Sequence, residues 1–171
     1  MRYTAYIGLG SNLPSSSGDS AETVRAAMKA LAALGSVAAQ SSLYRTAPVG
    51  YREQPDFINA VVALKTELDP ENLMWEMVAI ERRFGRDRRA SVPKGPRTLD
   101  LDLLLALDAG DAAVCESDSL TLPHPEMAKR RFVLEPLAEI AAELRHPVLG
   151  KTMQELRDEL PSCGDDVTRM G

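Results

Sequence analysis

The stretch Gly95-Pro96-Arg97-Thr98-Leu99-Asp100-Leu101-Asp102, running on through Leu103-Leu104-Leu105-Ala106-Leu107, puts a cation and two carboxylates just inside a strongly apolar segment. Residues 98–107 read as a strand. Alternate side chains of a strand share a face, so Asp100 and Asp102 are expected to point one way while Leu99, Leu101, Leu103 and Leu105 fill the other. The two aspartates then stand roughly 7 Å apart along the chain. Carboxylates at that spacing can converge on hard cations such as Mg²⁺, which prefer carboxylate, water and phosphate oxygens. Taken alone, a D-x-D pair is more often a strand edge solvated by water or paired with arginine, so the metal reading depends on its surroundings.

Working outward, Asp69-Pro70 supplies a cap and a first-turn proline for a helix whose apolar stripe is Leu73, Met77, Ile80 and Phe84, ended by Gly85. Upstream, residues 57–66 read as a strand apolar on both faces, hence central, and residues 37–44 as a further strand. Residues 3–9 form a first strand leading into Gly10-Ser11-Asn12. Between them, Val24, Ala27, Met28, Leu31 and Leu34 recur at helical spacing, with Asp19 and Glu22 placed for a capping box and Gly35 closing the helix. Downstream, Val133, Leu137, Ile140 and Leu144 predict a third helix, and Thr152, Glu155, Leu156 and Leu160 a short fourth. The order is βαββαβ with extra C-terminal helices. That pattern predicts a ferredoxin-like α+β sandwich, an antiparallel sheet with helices packed on one face. Residues 1–171 are expected to form one domain, with 151–171 a short helix and tail.

The net charge of −5 argues against a general nucleic-acid binder, but it is unevenly spread. From Arg82 to Arg97, seven cations face the single anion Asp87, giving +6 and leaving −11 for the rest of the chain. A compact basic loop on an acidic body suits a small polyanion such as a nucleoside triphosphate. A helix C-terminus accounts for Arg82 and Arg83, not for the whole run. No apolar run approaches a membrane span, and the chain enters a strand pattern at once, so a cytoplasmic protein without membrane contact is expected. Cys115 and Cys163 lack metal-ligand spacing and are expected to be free thiols.

Three segments carry more polar residues than a core needs: Thr46 to Asn59, Glu81 to Asp102 and Thr121 to Phe132. With Tyr6-Ile7-Gly8-Leu9-Gly10-Ser11-Asn12-Leu13, Tyr44-Arg45-Thr46, Gln54-Pro55-Asp56-Phe57-Ile58-Asn59-Ala60 and Leu122-Pro123-His124, the chain resembles the 6-hydroxymethyl-7,8-dihydropterin pyrophosphokinases of folate biosynthesis over nearly its whole length. The resemblance implies attack of the pterin hydroxymethyl group on the β-phosphorus of ATP, with release of AMP. It implies that Asp100 and Asp102 hold two Mg²⁺ ions, and that Arg86 and Arg97 join them as catalytic residues. ATP would be gripped by Glu81, Arg86, Arg88, Arg97, Thr121, His124 and Arg130. The pterin would meet Thr46, Ala47, Pro48 and Val49, with Asn59 reading the edge of the ring and Phe57 and Phe132 stacking on its faces. A monomer acting on ATP and the pterin alone is expected.

The chemistry agrees with the residue types. Phosphoryl-type transfer is catalysed mainly by positioning and by neutralising phosphate charge, so metal-binding carboxylates and arginines matter more than a nucleophilic side chain. A flat bicycle gains from aromatic stacking, and an amide supplies both donors and acceptors. The chain also departs from the pattern. Lys94 stands where some members carry Trp, Pro125 where an aromatic often follows the histidine, Val78 at a position that can be Gln, and Ser119 at one that can be Arg. Two rival readings fit the same residues: a magnesium-dependent nucleotide hydrolase or nucleotidyltransferase on the same fold, and a ligand-sensing module without catalysis.

Overall fold

A computed structural model describes residues 1–47, 54–85, 98–161 and 167–170. Its centre is a pair of long antiparallel strands, β1 (Tyr3–Ser11) and β4 (Phe57–Thr66), in continuous register from Tyr3 opposite Thr66 to Ser11 opposite Ile58. On the other side of β1 lies β5 (Asp100–Asp108), also antiparallel. The outer edge of β4 is shared by β2 (Ser36–Gln40) and β3 (Tyr44–Thr46).

The strand predicted over 37–44 is thus two strands, and Ser41 marks the break. Its main chain donates to Val61 O at 2.9 Å, and its hydroxyl oxygen accepts from Val61 N–H at 2.9 Å. A side chain here replaces a ladder bond, which lets the strand bend without orphaning a buried donor.

The helix α1 (Ser20–Ala32) begins at Asp19, where the predicted capping box is present in both directions. Helix α2 (Pro70–Arg83) is capped by Asp69, whose side chain accepts from Asn72 N–H. Gly85 follows it with φ +89°, the left-handed conformation that glycine adopts without strain. Gly35 serves α1 differently from the closing turn expected, because a Cβ there would collide with Lys65 O, so the residue is fixed by close approach of two backbones.

One face of the sheet packs Ile7, Leu9, Ile58, Ala60, Val62, Leu64, Leu99, Leu101 and Leu103 against α1 and α2. The opposite face carries Val61, Leu104 and Leu105, covered by α3 (Arg131–Ala141) and α4 (Met153–Glu159). The two helices of the βαββαβ repeat therefore share one face as expected, while the appended helices close the other. Leu144 lies beyond the end of α3. Short strands β6 (Asp111–Ala112), β7 (Cys115–Glu116) and β8 (Thr121–Leu122) follow β5; β6 extends the sheet and β7 and β8 pair with each other. The tail is more than a helix, since β9 (Val167–Arg169) adds a strand to the outer edge of β3. Among the described residues no helix is long and apolar enough to cross a membrane, and Cys115 is a free, exposed thiol.

The alternation expected along β5 holds only to Leu103. Ile7 pairs with Leu103 and Tyr6 with Leu105, leaving Leu104 as an extra residue. This bulge turns Leu105 to the face expected for the aspartates, beside Leu104, and Ala106 resumes the α1/α2 side.

Candidate active site

Residues directly opposite one another in an antiparallel ladder share a face. The register therefore makes a row across four strands: Asp100 on β5, Gly10 on β1, Asn59 on β4 and Tyr44 on β3. Asp102 and Gly8 stand in the next row with Val61, and Thr46 faces Phe57 on the other side. Asp100, Asp102, Asn59, Phe57 and Thr46 accordingly project from one face, the one partly covered by α3. Both positions between the aspartates and β4 are glycine, which leaves a strip of sheet without side chains.

The strip is narrow. A Cβ on Gly10 would lie 2.7 Å from Asn59 Oδ1. Asn59 is only 7% exposed, and its Nδ2 donates to Thr46 Oγ1 at 2.9 Å. That bond orients the amide so that its oxygen leans over Gly10. Phe57 is half-buried and, among the described residues, packs into neither apolar cluster. Phe132, in the first turn of α3, is half-buried against the second cluster with the Arg130 guanidinium 5.6 Å from its ring centre. Ala47 is exposed at the end of β3.

His124 approaches the aspartates from the loop after β8. Its main chain donates to Leu104 O at 2.9 Å, at the bulge, so the irregularity in β5 is also what anchors the histidine. Its Nδ1 accepts from Glu126 N–H at 3.1 Å, and its Nε2 lies 4.0 Å from Asp102 Oδ1. Burial pushes the imidazole pKa below its usual value, helped by Arg130 and opposed by Asp100 and Glu126. A neutral ring that accepts at Nδ1 carries its proton on Nε2, so His124 offers a donor on the side of the aspartates. Thr121 and His124 also line an open cleft of about 570 Å³ that continues past Lys129 to His146.

Glu81, which the resemblance places among the ATP contacts, is turned into the fold instead of lying on the helix surface. It is 1% exposed, and its Oε2 accepts from Leu101 N–H at 2.8 Å. A carboxylate of α2 thus holds the main chain between Asp100 and Asp102. The helical stripe carried this signal, because Glu81 stands four residues after Met77, on the buried side. Asn12, in the polar turn that ends β1, is a residue whose role its sequence position alone does not reveal. It is 2% exposed, and its Nδ2 donates to Gln54 Oε1 at 2.8 Å and Pro55 O at 3.0 Å, tying the exit of β1 to the approach to β4. Pro48, Val49, Arg86, Arg88, Lys94 and Arg97 lie outside the described residues.

The arrangement places two carboxylates and an imidazole at one end of the glycine strip, and an amide and a phenyl ring at the other. A model of the 7,8-dihydro-6-hydroxymethylpterin-pyrophosphokinase (HPPK) family matches residues 6–142. The chain belongs to this family. It is 42% identical over 158 residues to the 2-amino-4-hydroxy-6-hydroxymethyldihydropteridine pyrophosphokinase of Bacillus subtilis, covering 91% of this chain and 89% of that protein. The protein of the same name from Haemophilus influenzae is 42% identical over 146 residues, covering 84% and 85%. The folic acid synthesis protein fol1 of Schizosaccharomyces pombe is 38% identical over 162 residues, but the chain spans only 21% of its length. Among solved structures, the wild-type HPPK-DHPS of Plasmodium falciparum with STZ-DHP superposes with a TM-score of 0.69 at 16% identity, covering 93% of this chain and 43% of that one. This structural likeness shows the fold, and the HPPK assignment rests on the family model and the bacterial relatives.

Proposed function

We propose that this chain transfers the pyrophosphoryl group of ATP to the hydroxymethyl group of 6-hydroxymethyl-7,8-dihydropterin, releasing AMP. The observation that carries this reading is the row Asp100–Gly10–Asn59, an acidic residue and an amide on one face, with only glycine between them. Two interstrand spacings separate them by about 10 Å, which matches a pterin ring held at one end with its hydroxymethyl arm reaching towards a triphosphate at the other. Asn59 reads the heterocycle, its amide oriented by Thr46, and Phe57 and Phe132 stack on the ring, with Ala47, Pro48 and Val49 as the wall. His124, neutral, donates from Nε2 to a phosphate oxygen, beside Arg130 and Thr121. The seven cations between Arg82 and Arg97, Arg86, Arg88 and Arg97 among them, neutralise the triphosphate and orient it for in-line attack. Glu81 belongs to the ATP site through the strand it holds.

The donor set at Asp100 and Asp102 fits magnesium. Both are carboxylates on one face, Asp102 keeps 30% of its side chain exposed, and among the described residues no group of three or more His, Cys, Asp or Glu could hold an ion unaided. Magnesium is commonly held by one or two carboxylates with phosphate and water completing its shell. Two bound ions would neutralise phosphate charge and favour ionisation of the attacking hydroxyl.

With ATP, magnesium and the pterin, AMP and pyrophosphorylated pterin are expected in equal amounts. Formation of ADP, or ATP consumption indifferent to the pterin, would sink this reading in favour of a hydrolase or nucleotidyltransferase. Asp100→Ala and Asp102→Ala should each lower kcat at least about a hundredfold with the melting curve retained. A wild-type chain that binds ligand without turnover would instead be a sensor.

A further inference from the structure

The chain's last described segment touches the pterin site from behind. Strand β9 pairs with β3 along its whole length, Arg169 opposite Tyr44, Thr168 opposite Arg45 and Val167 opposite Thr46. Met170 N–H then donates to Leu43 O at 2.8 Å, and the Met170 side chain packs on the first apolar cluster. Without β9, the three residues of β3 would be an edge strand held from one side only. Thr46, the residue that orients Asn59, is the last of the three.

Arg169 latches this strand to more than its neighbour. Its Nε donates to Ser42 Oγ at 2.9 Å, and its Nη2 donates to Glu139 Oε2 at 3.3 Å. Glu139 is the hub of the cluster. It accepts from Ser42 N–H at 3.0 and 3.1 Å, from Ser42 Oγ at 3.0 Å and from Tyr44 OH at 2.6 Å. Burial alone would raise the Glu139 pKa, but the bonds from Tyr44 and Ser42 and the charge of Arg169 outweigh it and hold the carboxylate ionised. The same carboxylate, with burial as the larger cause, pushes the Tyr44 hydroxyl pKa well up, so Tyr44 stays a donor. Glu139 stands two turns after Phe132 on α3, and Tyr44 two residues before Thr46 on β3. One guanidinium therefore ties together the two elements that carry opposite walls of the proposed pterin pocket.

We propose that Arg169 is a positioning residue for pterin binding: through Glu139 and Ser42 it sets β3 against α3, and so places Thr46 and Asn59 relative to Phe132. The inference rests on the pterin reading of Asn59 and Phe132. It predicts a substrate-selective effect from a residue on the far side of β3 from Asn59. A planar, multi-donor side chain suits the task, because it engages a hydroxyl and a carboxylate at once in fixed geometry.

The test uses the full chain carrying Arg169→Ala, with Asn59→Ala beside it. Arg169→Ala should raise the pterin KM about fivefold while kcat and the ATP KM stay within about twofold. Amide hydrogen exchange at residues 44–46 should accelerate. In a Glu139→Gln background the same substitution should add little, since both act through one network. Parallel rises in both KM values, or an unchanged pterin KM, would overturn the proposal. If Arg169→Ala destabilises the fold, Arg169→Lys keeps the charge but loses the fork and should show a smaller rise in pterin KM with the same selectivity; no rise and no faster exchange counts against it. If Asn59→Ala leaves the pterin KM unchanged, the pocket reading itself fails. If Asn59→Ala raises it and Arg169→Ala does not, only the role of Arg169 is lost.

Discussion

A methyl group on Gly10 would meet Asn59 Oδ1 at 2.7 Å, closer than a carbon and an amide oxygen tolerate. Asn59 cannot yield without loosening its bond to Thr46, because both residues are buried and that bond fixes the amide. Gly10→Ala should therefore act on pterin before it acts on ATP. The pterin KM is expected to rise about tenfold with a much smaller change in ATP KM, read from steady-state kinetics with each substrate varied in turn. Equal effects on both would mean that the methyl group disturbs the β1–β5 ladder instead. Glu81 makes a related point about what a single residue type reveals. A glutamate on a helix is ordinarily solvated, yet this one stands on the buried stripe and accepts from the main chain between the two aspartates. Its spacing from Met77 was legible; its partner, on a strand twenty residues away, was not.

Among elements, those defined by local rules match the expectation most closely. The strand over 57–66 has the predicted limits, and α1 and α2 begin at the predicted caps, because capping and periodicity act within a few residues. Three of the departures are set by a neighbour across the sheet. Leu105 changes face because β1 forces a bulge, β3 separates from β2 because Ser41 satisfies Val61, and β9 exists because β3 offers an open edge. The Ser41 break is open to measurement. Its hydroxyl accepts from Val61 N–H and donates to Ser42 O at 2.8 Å, and the residue is 6% exposed. Ser41→Ala leaves a buried main-chain donor without that partner, so a loss of about 1–3 kcal/mol in urea unfolding is expected. Ser41→Thr, which keeps the hydroxyl, should recover most of it. An unchanged midpoint for the alanine variant would show that the Val61 donor finds another acceptor.

At the scale of the whole molecule, the order of polar segments marks the proposed site, because catalytic and binding residues are the ones a core does not require; the basic run behind the charge asymmetry lies, from Arg86 to Arg97, outside the described residues. The sequence could not show that the chain's two histidines are both held by burial. His124 sits by Asp102, and His146 is 6% exposed with Nδ1 accepting from Val148 and Leu149 main chain at 3.2 and 3.1 Å. Burial lowers the pKa of each below the ordinary 6.5. Above 6.5 both rings are neutral in folded and unfolded chain alike and contribute no slope. As pH falls through 6.5 the unfolded chain takes up protons that the folded one refuses, so stability falls until the lower folded values are passed. Below 4.5 a second loss sets in, because Glu139 and Glu155 have folded pKa values below that ordinary value and their stabilising bonds disappear on protonation. Urea unfolding followed from about pH 8 to about pH 4 should show a plateau, a first decline starting near neutrality and a steeper one in the carboxylate range. His146→Gln, which leaves the proposed catalytic groups in place, should flatten the first decline and leave the second. A first decline of unchanged size in that variant would assign it to His124 alone, and a flat profile between pH 7 and pH 5 would mean that neither ring resists protonation as its burial requires.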